Sequence, residues 1–165
     1  MGLIDFENYP LTNVGGIFGR SLAVYEDTFV VSHIGGDQGR ILAYEQNSDG
    51  IWDYVQSIEP PNPGVETHDF GFSVSIHGDV MATGDPHASV DGGGISGVIR
   101  IFERTSNESS PWQYVEDITI DDDAQYATFG NQVFLYDDVL DASAQHKDGT
   151  FSVFVFERQN NQWTK

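Results

Sequence analysis

A Phe-Gly pair occurs three times in this chain, at Phe18-Gly19, Phe70-Gly71 and Phe129-Gly130, spaced 52 and 59 residues apart. A tryptophan follows each pair in the same order, at Trp52, Trp112 and Trp163, spaced 60 and 51 residues apart. Two independent markers in one register make the 165 residues a single supersecondary unit written three times. Such a unit cannot bury its apolar face alone and must stack on its neighbours.

Each unit reads as short strands. A first alternating run, Ser21–Val24, Ser73–Ile76 or Gln132–Leu135, leads into a two-residue turn at Glu26-Asp27, Gly78-Asp79 or Asp137-Asp138. Connections of that length join antiparallel strands. Gly78 suits a turn needing a positive φ at its first position, and Glu26 fits less well. A second strand follows at Thr28–Ser32, Val80–Gly84 or Val139–Ala142, then a polar loop, then a third strand at Arg40–Glu45, Val98–Glu103 or Ser152–Glu157. The third strands are apolar on both alternating faces, so both faces must be covered. A fourth strand follows Trp52 and Trp112, at Tyr54–Ile58 and Tyr114–Ile120. No helical period appears.

The fold class is therefore all-β: three four-stranded antiparallel repeats of the β-propeller kind, each blade packed between neighbours. The whole chain, 1–165, is one repeat domain, with repeat one at 18–69, repeat two at 70–128 and repeat three at 129–165. After Trp163 only Thr164 and Lys165 remain, so the third repeat is expected to lack its fourth strand. Residues 3–9 stand before Phe18 at the distance that separates Trp52 and Trp112 from the next Phe-Gly pair. They are expected to serve as an orphan fourth strand that completes the last blade.

The pattern Phe-Gly, alternating strand, Gly-Asp turn, Gly-Asp-Pro, then an apolar strand and Trp is clearest in the second unit. It runs from Phe70-Gly71-Phe72-Ser73-Val74-Ser75-Ile76-His77-Gly78-Asp79 through Gly84-Asp85-Pro86 to Gly97-Val98-Ile99-Arg100-Ile101-Phe102 and Trp112. It resembles the FG-GAP repeats that form the blades of integrin α-subunit-like propellers. The first unit has Ser32-His33-Ile34, and the third Ser143-Ala144-Gln145, where the family has Gly-Ala-Pro. The resemblance implies a non-enzymatic binding or adhesion module, extracellular or secreted, with a protein or glycan ligand held by loops on one face. It also admits a glycan-binding lectin, or a structural blade set with no ligand of its own. No signal peptide is visible at the N-terminus, which lacks a basic segment followed by an apolar run. The family's calcium loop lies between the first two strands. That connection is only two residues here, so no calcium site is carried over.

The charge is lopsided. Seven Lys and Arg against 26 Asp and Glu give a net −19, a surface that repels nucleic-acid phosphates and anionic membranes. No apolar run is long enough to insert in a bilayer. With 39% hydrophobic residues and 13% aromatics, the chain still has the means to build a core. It has no Cys, which excludes disulfides and thiolate metal sites.

The loops between the second and third strands should gather at one end of the blades, where function sits on a rigid scaffold. They carry His33, Asp37, His87, Asp91, His146 and Asp148 as candidate ligand contacts, with His87 and His146 at equivalent positions. In the lectin reading, Tyr25, Tyr44, Trp52 and Trp112 would stack on sugars in pockets between blades. Against this, the fixed place of the tryptophans in the repeat favours packing. No catalytic residue is assigned. There is no nucleophile elbow, no HExxH and no phosphate-binding glycine loop. No cofactor and no metal are expected. Three blades are few for a closed ring, so a homo-oligomer of two chains, giving six blades, is the expected assembly.

Overall fold

The computed structural model describes residues 15–35, 38–61, 69–89, 97–107, 110–120 and 128–165. Among them are twelve strands and no helix, in three sheets. The first sheet holds β1 (Ile17–Tyr25), β2 (Thr28–Ile34), β3 (Arg40–Gln46) and β4 (Trp52–Ile58). The second holds β5 (Ser73–His77), β6 (Val80–Asp85), β7 (Val98–Arg104) and β8 (Trp112–Ile118). The third holds β9 (Val133–Tyr136), β10 (Val139–Gln145), β11 (Phe151–Gln159) and β12 (Gln162–Thr164). Strands pair antiparallel with their sequence neighbours throughout. All-β, blade-like architecture is thus what the chain forms.

All three tight turns take a positive φ at their first residue: Glu26 at 50°, Gly78 at 59° and Asp137 at 53°. Only the middle unit spends a glycine there. The third sheet departs from expectation. It has a fourth strand, the three-residue β12, where the sequence pattern predicts none. It pairs only Gln159, Arg158 and Glu157 of β11, because the chain supplies no more residues. Residues 3–9 lie outside the described residues.

The first strands of the three sheets lie side by side, β1 next to β5 and β5 next to β9. Serine hydroxyls bridge them: Ser21 Oγ accepts from the Val74 amide at 3.0 Å, and Ser75 Oγ from the Leu135 amide at 2.9 Å. At their turn ends, His77 stands between Tyr25 and Tyr136, with ring centroids 4.7 and 4.9 Å apart.

Each blade has a front, which lies on the blade before it, and a back, covered by the blade after it. The back of the first blade (Val30, Ile41, Ala43) packs on the front of the second (Phe70, Val74, Ile76, Met81). The back of the second (Ala82, Ile99, Ile101) packs on the front of the third (Phe129, Val133, Leu135, Leu140). Phe70 and Phe129 are wholly buried in these joints. Phe18 has no preceding blade to enter and is only half-buried.

The joints are locked by backbone. A Cβ on Gly39 would lie 1.9 Å from the Phe70 carbonyl oxygen, and one on Gly97 2.2 Å from that of Phe129. Neither position tolerates a side chain, because backbone cannot give way as a flexible side chain can. Charge repeats as well. Arg104 lies over Trp112 of its own blade and reaches back to Glu45 and Thr28 of the first. Arg158 lies over Trp163 and pairs with Glu103 of the second blade.

Candidate functional site

The densest exposed chemistry lies at the loop end of the second blade. His87 follows β6 and Asp69 immediately precedes Phe70. His87 Nδ1 and Asp69 Oδ2 are 2.5 Å apart, with side chains 52% and 24% exposed. The Phe72 ring meets the His87 ring edge-on at 6.4 Å. The Arg20 guanidinium, from β1 of the neighbouring blade, lies 4.0 Å from the centre of the same Phe72 ring. A cation, an aromatic ring and a histidine–carboxylate pair therefore stand in one line across the first joint.

Beneath it is a buried ion pair. Asp85, the last residue of β6, is wholly buried and its Oδ2 accepts from Arg100 Nη1 at 2.7 Å. Asp117 Oδ1 lies 3.7 Å from Arg100 Nε. Asp85 Oδ1 is buried with no hydrogen-bond partner among the described residues. Burial pushes the Asp85 carboxyl above the ordinary carboxylate range despite Arg100, and the charges of Asp69 and His87 also act on it. Asp117 is raised for the same reason. The loop after Asp85 is pinned by the Ala88 amide on the Asp85 carbonyl and by the Gly97 amide on the Ala88 carbonyl.

The residues expected to bind ligand meet different fates. His33 is not a loop residue: β2 runs on to Ile34 and buries it, 3% exposed, against Phe18. Burial, then Arg40, lowers its pKa. His87 is exposed as expected. His146, at the same repeat position, is held by a different partner, its Nε2 lying 2.7 Å from Ser152 Oγ. Asp148 turns back on its own loop, accepting from the Thr150 amide and hydroxyl at 2.9 and 2.7 Å, which lowers its pKa. Asp37 and Asp91 lie outside the described residues.

Of the four candidate sugar-stacking rings, Tyr44 and Trp112 are buried, 3% and 2% exposed. Tyr44 packs on Phe29 and Tyr54, and Trp112 fills the first joint. Neither has a free ring face, because the strand faces that carry them are core. Trp52 packs edge-on against Phe29 at 6.0 Å and Tyr25 stacks on His77. Sequence reasoning passed over Arg20, Asp69, Phe72, Asp85 and Arg100. Asp85 and Phe72 were in view as parts of the repeat motif, but nothing local says that Arg20 reaches them from another blade.

Comparison with protein-family models finds no match, and none is found among curated proteins. Among solved structures, the chain is similar to one named "Glycoside hydrolase" at 9% identity and a TM-score of 0.46. It is similar to another, described as an RGII complex, at 8% identity and the same TM-score. Each match covers 91% of this chain and 55% of the other, so the chain spans about half the length of the solved structures it matches.

Proposed function

We propose that this chain is a non-enzymatic binding module of the integrin-like propeller kind, which takes a protein or glycan ligand at the loop end of its second blade. One observation carries the reading: Arg20, Phe72, His87 and Asp69 form an exposed line of cation, ring and hydrogen-bonding groups on rigid strand ends. A sugar or a carboxylate-bearing side chain finds there a stacking face, a charged donor and a polar partner. An extracellular setting follows from the family resemblance alone.

Hydrolysis has less support. Ser152 contacts His146, but the nearby Asp148 is engaged by Thr150 instead of orienting the imidazole. Nucleophilic catalysis needs all three groups in series.

The test is a labelled chain applied to arrays of glycans and of extracellular proteins. Saturable binding to a ligand, falling about tenfold or more in Arg20→Ala and in His87→Ala, is the expected result, since that loss is about 1.4 kcal/mol of contact. Binding unchanged in both variants would place the ligand elsewhere.

A further inference from the structure

The back of the third blade has no blade upon it. Phe134, Phe151, Val153 and Val155 are 51–70% exposed there. In the first two blades the matching β3 and β7 residues, Ile41 and Ala43, then Ile99 and Ile101, are buried by the next blade. A contiguous apolar sheet face of this kind marks an interaction surface.

The occupant is not a further blade added in series. Counting back six residues from Glu45, Glu103 and Glu157 gives Gly39, Gly97 and Phe151. The first two admit the backbone of the next Phe-Gly corner at a distance no Cβ allows. Phe151 blocks that corner. Phe134 likewise replaces Ser75, whose hydroxyl bonds the next first strand. The front of the first blade, the surface a head-to-tail copy would bring, has Gln46 where Arg104 and Arg158 reach back across the joints.

We infer that this face docks on the same face of a second copy of the chain, third blade against third blade. The surface is complementary to itself. It holds a projecting ring, Phe151, and a recess of about 280 Å³ lined by Phe134, Asp141, Ser143 and Val153. A two-fold axis across the strands sets Phe151 of each copy toward the recess of the other. The same axis brings Lys147, at the loop end of β10, toward Asp137 and Asp138 at the turn end of the partner. Sheets packed face to face in this way share a core about 10 Å thick.

The experiment is light scattering on a sizing column, with the 165-residue chain in about 0.15 M salt to screen its negative charge. The expected mass is twice 18.3 kDa. Val153→Asp should halve it, as should the milder Val153→Ser combined with Phe151→Ser, with circular dichroism unchanged because these side chains are already exposed in a single chain. Leu22→Asp, on the front of the first blade, should leave the dimer intact. A monomeric wild-type chain over its soluble range, a mass beyond two chains, or a dimer broken by Leu22→Asp and not by the Val153 variants would overturn the inference.

Discussion

Gly39 and Phe70 approach so closely that a single methyl group on Gly39 would fall within 1.9 Å of the Phe70 carbonyl oxygen. The φ of Gly39 is not in the left-handed region, so the constraint is one of space and not of backbone preference. The Phe-Gly corner of one blade is in this way matched to a glycine in the blade before it, 31 residues earlier in the chain.

Gly39→Ala is therefore expected to cost about 3 kcal/mol or more, because backbone must move apart in a packed joint. Gly149→Ala meets no neighbouring atom, though its φ is +88°. It should cost only about 1–2 kcal/mol. Urea unfolding of the two variants beside wild type measures the gap, and equal losses would mean that the joint is not locked at Gly39.

The three tryptophans hold one repeat position in unequal surroundings. Trp112 is buried between the first two blades, and Trp52 and Trp163 are half-buried. Trp112→Ala should cost about 3–5 kcal/mol and each of the others less. Thermal unfolding of the three variants should rank Trp112 first. A ligand-binding loss in Trp112→Ala without a stability loss would contradict its place in the core.

Glu26 holds a φ of 50°, which an L side chain adopts at a cost. Gly78 does the same work in the second blade without that strain. Glu26→Gly is expected to be neutral to stabilising by up to about 1 kcal/mol, the relieved strain being offset in part by a freer unfolded chain. Denaturant midpoints decide it, and a loss above about 1 kcal/mol would show that the Glu26 side chain contributes contacts of its own.

Two buried groups should tilt stability with pH in opposite directions. Burial lowers the His33 pKa from 6.5, so its native form binds protons less readily than the unfolded chain does. The stability it contributes is present above 6.5 and is lost as pH falls through its lower native value. Asp85 is raised from 3.8, so its contribution is full below 3.8 and is lost as pH rises through its native value. The wild-type curve minus that of His33→Gln should fall on acidification below 6.5. Urea titrations at a series of pH values give this difference, and a flat one would mean that His33 protonates freely in the native state.

Much of the architecture was legible because a strand repeat announces itself locally. Phe-Gly, the two-residue turns and the doubly apolar third strands each report on a few neighbouring residues, and every expected strand of the first two blades is present. The site was legible only in part. His87 could be picked from its loop, but His33 could not be told from a loop residue until β2 was seen to continue through it.

What the sequence by itself determined, then, is the blade: its four-strand order, its turns and its apolar faces, all set by periodicity and by residues within one unit. What only the tertiary structure decided is what happens between blades. Arg20 on Phe72, Arg104 on Glu45, and Gly39 beneath Phe70 each join residues from different repeats. Pairings of that kind depend on the rotation from one blade to the next. Side-chain packing over a whole joint sets that rotation, and no short stretch of sequence encodes it.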